Sequence, residues 1–193
     1  MANILGNLNR AIIIGLVLLA LVIFGFHGQS LGSAWGNWML RATHAWVGLL
    51  WIGLLYYFNF VQIPTMPKVP AELKPAVSKY IAPEALFWFR WAALFTVLLG
   101  LGIPGLSGYP LGAALTFQPG YAVIGTGMWL GIIMMLNVWG VIWPNQKRAL
   151  GIVDADADTK AKAAKTAMIG SRINFVLSFP MFYCMVTQQG ALA

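Results

Sequence analysis

The sequence predicts an all-α integral membrane bundle of five transmembrane helices, one domain over residues 1–193, with its N-terminus inside and its C-terminus outside. Three observations predict it. Hydrophobic residues make up 60% of the chain and charged residues 9%, against about 25% charged in ordinary soluble domains. Mean hydropathy is +0.75, which leaves too little polar surface to coat a water-soluble globule. The apolar residues gather into runs long enough to cross a bilayer, about 20 residues each. The basic residues fall on alternate gaps between those runs.

The first span is Ala11–Phe26, with Asn9 and Arg10 ahead of it. A secretory leader has a similar outline, and LGSA in the tail GFHGQSLGSAWG offers a weak small-residue cleavage option. The thin basic region and the long apolar core favour a retained anchor. The second span, His44–Val61, lies in THAWVGLLWIGLLYYFNFVQIPTMPK, which carries no charge between Arg41 and Lys68. Gly48 and Gly53 are compatible with a helix there, because glycine is common in membrane helices. The third span, Ala85–Ile103, follows the amphipathic approach ELKPAVSKYIAPE. The fourth is Tyr121–Trp143, and the fifth is Ile169–Val186 with Arg172 near its start.

The charges orient these spans. The N-terminus holds Arg10 and the first gap holds Arg41. The second gap holds Lys68, Lys74 and Lys79, and the third holds none. The fourth holds Lys147, Arg148, Lys160, Lys162, Lys165 and, at its edge, Arg172; the tail holds none. Loops rich in Lys and Arg stay inside, so the even gaps and the N-terminus share the inner side. The net charge of +7 is explained by these loops, and no nucleic-acid module or nucleic-acid partner is indicated.

The uncharged third loop, PGLSGYPLGAALTFQPG, is short and punctuated by glycine and proline, so it is expected to cap the outer surface or dip into the interface. In the fourth loop Pro144 is expected to stop the preceding helix. Asp154, Asp156 and Asp158 alternate as in a calcium loop, but Thr159 and Lys165 stand where that loop needs glycine and glutamate. Capping is the better role: Asp158 or Thr159 opens a short helix, AKAAKTAM, whose lysines face the inner leaflet.

The side chains able to carry chemistry are few. The single cysteine, Cys184, excludes an internal disulfide and a multi-cysteine metal site. His27 follows the first span and His44 opens the second, so both belong at the outer side. Neutral imidazole ligates haem iron, copper or zinc, which makes His44 and His27 the candidate cofactor and metal ligands. The alternative is two interfacial histidines bonded to backbone or water.

Trp35, Trp38, Trp46 and Trp143 sit where an aromatic belt places them. Trp51, Trp88, Trp91, Trp129 and Trp139 pack against lipid and each other, or against a flat macrocycle. Met128, Met134 and Met135 offer either a copper ligand set or, as is usual for methionines in a membrane helix, packing. Asn59, Gln62, Arg90, Asn137, Arg172 and Asn174 form a candidate polar intramembrane network, either an anchor between helices or a polar pocket or proton path. Gly125, Gly127 and Gly131 allow close approach of another helix, from this chain or a different one.

Three stretches carry a resemblance: THAWVGLLWIGLLYYFNFVQIPTM, GMWLGIIMMLNVWGVIWPNQKR and SRINFVLSFPMFYCMV. They resemble the bacterial membrane family named for the urate oxidase N-terminal domain, over about Trp38 to Gln189. The His-Ala-Trp-Val-Gly opening and the Trp-Pro-Asn-Gln-Lys end of the fourth span are the most specific parts. Larger members of that family join the membrane portion to a cytochrome c domain and are linked to purine oxidation. The resemblance implies a bacterial inner (cytoplasmic) membrane protein in an electron-transfer setting, with His44 as the matching histidine and haem b as the candidate cofactor. Two departures stand out. No Cys-x-x-Cys-His occurs, so this chain carries no covalent haem c module. Val186, Thr187, Gln188 and Gln189 stand where the resemblance implies a histidine after the fifth span.

Two function classes follow. One is a membrane-embedded redox or haem-associated module inside a larger electron-transfer or oxidoreductase complex. The other is a non-catalytic accessory subunit packed against a larger membrane enzyme. Both expect membrane lipids and other membrane subunits as partners. A transporter would show inverted repeats, and five spans do not divide into equal halves.

Overall fold

In a bilayer every backbone N–H and C=O must be bonded within its own segment, so uncharged apolar runs become long helices. The computed structural model describes residues 6–29 and 32–187. Gln188, Gln189 and Leu31 of the LGSA tract lie outside these described residues. Five helices are long and apolar enough to cross a membrane: α1 (Leu8–His27), α2 (Ala34–Lys68), α3 (Lys74–Ser107), α5 (Ala122–Ala149) and α6 (Ala157–Thr187). A short helix, α4 (Leu111–Leu115), lies between α3 and α5. The multi-span all-α architecture is the one expected from sequence.

Each helix extends beyond its apolar run. At about 1.5 Å rise per residue, the 34 residues of α3 reach well past a hydrocarbon core of about 30 Å. The extra turns are the amphipathic flanks. The same physics corrects two expectations in the fourth loop. Pro144 does not stop its helix, which continues to Ala149. A π-helical turn, Val138–Ile142, precedes it, and the α-helix resumes at Trp143 with the proline in its first turn. Proline lacks an N–H and its ring crowds the carbonyl four residues back; a widened turn relieves both, and the first turn of a helix tolerates the missing donor.

The device recurs. Pro64 follows the π-turn Phe58–Gln62, and Pro83 follows the π-turn Val77–Ile81.

The second correction concerns AKAAKTAM. It is the first part of α6, continuous with the fifth span, and its cap is neither Asp158 nor Thr159. Asp156 caps it: Oδ1 accepts from the Thr159 amide at 2.7 Å and Oδ2 accepts from the Thr159 hydroxyl at 2.7 Å. That residue immediately precedes the helix and bonds the third residue within it, which is N-cap geometry. These bonds, the backbone one first, hold the Asp156 carboxyl below its ordinary range.

The chain falls into two compact units, Met1–Met39 and Leu40–Ala193. In the first, Asn7 caps α1 by accepting from the Arg10 amide at 3.2 Å. The helix is apolar on all sides and buries none of its residues. The second unit holds the core. Trp51, Leu55 and Phe58 of α2 meet Leu86, Phe89 and Ala93 of α3, with Met134, Val138 and Ile142 of α5 and Met181 of α6.

The third loop supplies α4, too short to cross a membrane, and its Ala113 and Ala114 are buried. Gly125 of α5 lies against the Ala114 carbonyl, where a Cβ would collide with it, and Gly127 lies against Cys184 of α6. Both glycines therefore serve helix approach within this chain.

Candidate functional site

His44 lies on α2 one turn after Arg41, at the end of the second unit that also holds the last turns of α3. Its Nδ1 is 2.8 Å from the Thr96 carbonyl oxygen of α3. A carbonyl only accepts, so Nδ1 carries the proton and donates. The Nε2 lone pair is then the free one in the neutral ring. Two features of α3 admit the imidazole. Gly100, one turn beyond Thr96, has no side chain: a Cβ there would lie 2.9 Å from His44 Cε1 and 3.2 Å from Nδ1. Thr96 itself is held by its hydroxyl, which donates to the Ala92 carbonyl at 2.7 Å. Its methyl carbon would lie 3.5 Å from a Cβ at Gly48, one turn along α2 from His44. The ring is thus seated on a glycine notch and fixed in one tautomer.

Charge borders this seat. Arg41 Nη2 donates to Ser107 Oγ at 2.8 Å. Tyr109 stacks on Tyr121, with ring centroids 5.8 Å apart. Burial pushes the Tyr109 hydroxyl above its ordinary range, and the nearby Arg41 charge opposes that shift.

His27 closes α1 and packs edge-on against Trp38, with centroids 5.2 Å apart and planes at 60°. The two histidines belong to different units. Among the described residues, no group of three or more His, Cys, Asp or Glu side chains converges as a metal site.

The six candidate network residues divide into separate groups. Asn137 Nδ2 donates to the Gly170 carbonyl at 2.9 Å and to Asn174 Oδ1 at 2.8 Å, while Asn174 Nδ2 donates to the Met134 carbonyl at 2.9 Å. This clasp joins α5 to α6, and Asn174 is completely buried. Gly170 makes it possible, since a Cβ there would lie 3.0 Å from Ile142 and 3.4 Å from Asn137 Oδ1.

Asn59 forms a second link, from α2 to α6. Its Nδ2 donates to the Leu55 carbonyl at 2.8 Å and to Ser171 Oγ at 3.0 Å. Tyr56 and Ser178 approach at 3.2 Å and join the same two helices. Asn59 Oδ1 and Gln62 Oε1 are buried without a hydrogen-bond partner among the described residues. Gln62, Gln146 and Ser171 contribute the polar part of a cavity of about 190 Å³, whose apolar wall includes Phe58, Leu86 and Phe89. A space of that size with polar lining accommodates ordered water.

Arg90 stands apart from these amides, over the rings of Trp143 and Phe87 at 4.0 and 5.1 Å. Arg172 is exposed on α6 beside an apolar groove that includes Ile169, Ile173 and Val176. Of the nominated tryptophans, Trp51 is in the core with its Nε1 unpartnered among the described residues. Trp129 Nε1 donates to the Leu115 carbonyl at 3.0 Å, tying α5 to α4. Met134 is fully buried as packing.

Sequence reasoning passed over Thr96, Gly100, Ser171 and Ser178. Small and hydroxylated residues are ordinary in membrane helices, and their partners come from helices whose relative register a linear pattern does not give. The one usable signal was paired spacing: His44 and Gly48 on one helix match Thr96 and Gly100 on the next, each four residues apart.

No family model, curated protein or solved structure matches this chain.

Proposed function

We propose that this chain is a membrane-embedded haem-associated module of a larger bacterial inner-membrane electron-transfer complex, in which His44 is the residue that would hold the haem. The observation that carries the proposal is the His44–Thr96 hydrogen bond. Metal-binding histidines characteristically donate their other ring N–H to a carbonyl or carboxylate, which fixes the tautomer and raises the basicity of the ligating nitrogen. His44 has that arrangement, with Gly100 giving the ring its place. The fit extends to one ligand position in the Leu40–Ala193 unit, because the chain's other histidine is His27. Haem, when bound, would supply one-electron transfer; the chain's own part is to hold the imidazole through the Thr96 hydrogen bond and the Gly100 notch.

The resemblance to the urate oxidase N-terminal membrane family supports the redox setting. The larger assembly is supported by α1, an apolar helix none of whose residues is buried. The test is absorbance of the purified protein, oxidised and then dithionite-reduced. Sharp reduced α and Soret bands that are lost in His44→Ala are expected. A folded, colourless protein isolated with its native partners would overturn the proposal.

The accessory-subunit reading has its own observation. The same hydrogen bond ties α2 to α3 and needs no cofactor to do so. On that reading His44→Gln, whose amide can still donate to Thr96, retains partner binding, and elemental analysis finds no iron.

A further inference from the structure

Arg90 is a guanidinium on an otherwise apolar stretch of α3, and no carboxylate lies within ion-pairing distance of it among the described residues. Its Cζ lies 4.0 Å from the centroid of Trp143 and 5.1 Å from that of Phe87. On the next turn of α5, Lys147 Nζ lies 5.7 Å from the same indole centroid. Two cations therefore converge on Trp143 without a counter-charge. One turn earlier on α5, Trp139 donates through Nε1 to the Arg90 carbonyl at 3.1 Å and packs edge-on against Trp91 at 5.3 Å, which ties α5 to α3 beside this pair of cations.

Ring stacking compensates part of the charge but leaves the in-plane N–H groups of a guanidinium unsatisfied. Arg90 makes no side-chain hydrogen bond to the described residues, and none of its nitrogens is among the fully enclosed unpartnered atoms. Its donors are therefore reachable from outside. The level is also set: Trp143 and Lys147 mark the place where the apolar run of α5 gives way to Asn145, Gln146 and Arg148. An anion that meets a helix seam at such a level, in a chain of this kind, is a phospholipid headgroup. Basic pockets between transmembrane helices take anionic lipid headgroups in this way.

We propose that Arg90, Lys147 and Trp143 form a binding site for the phosphate of an anionic phospholipid, at the α3–α5 seam. Arg90 donates two N–H groups to phosphate oxygens, Lys147 adds a point charge, and the indole holds the guanidinium plane in place. The site does not depend on the haem reading.

The test is native mass spectrometry of the full chain released from mixed micelles, with dioleoylphosphatidylglycerol and dioleoylphosphatidylcholine as probes. The intact protein is expected to retain phosphatidylglycerol at least tenfold more strongly than phosphatidylcholine. Arg90→Gln is expected to weaken retention about tenfold and Lys147→Gln a few-fold, while Lys165→Gln, which removes an equal charge from exposed α6, leaves it unchanged. Should Arg90→Gln fail to fold, Arg90→Lys keeps the charge and loses the planar fork, and is expected to fall between the two. Equal losses in all three glutamine variants would reduce the effect to net charge and overturn the site. Displacement of phosphatidylglycerol by millimolar inorganic phosphate would assign the site to a soluble anion and overturn the lipid.

Discussion

The His44 seat and the Asn137–Asn174 clasp are both polar contacts between apolar helices, yet they differ in what they leave over. In the clasp, Asn174 uses both its oxygen and its nitrogen, and Asn137 Nδ2 is shared between two acceptors. Amides do not titrate near neutrality, and Asn174 is fully buried, so the pair fixes α5 against α6. In the seat, His44 uses one ring nitrogen and keeps a lone pair. The seat keeps an open acceptor at Nε2, while Asn174 keeps neither its oxygen nor its nitrogen in reserve.

The comparison can be broken at its packing side first. Gly125→Ala drives a methyl into the Ala114 carbonyl, a backbone group that cannot turn aside. Loss of about 1–3 kcal/mol or more is expected, as in other overpacked sites, read as a lower thermal midpoint in detergent. Next is the clasp. Asn174→Leu removes two interhelical hydrogen bonds and should lower stability by about 1–2 kcal/mol, since such bonds in membranes average about 0.6 each. It should leave any haem spectrum unchanged. Gly100→Ala sharpens the other side: it displaces the His44 ring from a notch it fills at 2.9 Å. An altered or lost Soret band is expected, with a stability loss toward the low end of the ~1–3 kcal/mol of overpacked sites because the ring is only half-buried. A Gly100→Ala protein with the wild-type spectrum would show that the notch is irrelevant to the ligand.

Much of the fold was legible because burial in lipid leaves the backbone little choice. Charge-free runs from Ala45 to Phe60 and from Tyr121 to Trp143 read directly as helices. Helix ends were less legible. Pro144 read as a stop because its clash is a local rule, whereas the π-turn ahead of it is a register shift visible only in the folded backbone. Asp156 was passed over as the cap because three aspartates alternate there, and only the position of Thr159 relative to the helix start selects one. At the candidate site His44 was legible by its rarity. Thr96 and Gly100 were not, since nothing in a sequence states which turn of α3 faces which turn of α2.

The smaller predictions concern the flanks. Asp156 has a depressed pKa in the folded state, so its cap contributes fully above the ordinary carboxylate value near 3.8. That contribution is lost as pH falls through the lower folded value. Protection of the amides at Ala157–Lys160, relative to their intrinsic exchange rates at each pH, should fall on acidification below that point, and Asp156→Asn should remove the dependence. Orientation is tested with single cysteines in a Cys184→Ala background. Positive-inside charge places Ser107 and Thr187 outside and Lys162 inside. An impermeant thiol reagent should label the first two in intact cells and spare the third; labelling at Lys162 would invert the topology.

The proposed ligand is the free Nε2 lone pair of His44. Its most direct measurement is imidazole rescue of His44→Gly, purified with its native partners. His44→Gly is expected to lose the reduced α and Soret bands, and millimolar imidazole to restore them by occupying the vacated seat beside Thr96 and Gly100. Bands of full height in His44→Gly before imidazole is added would contradict it.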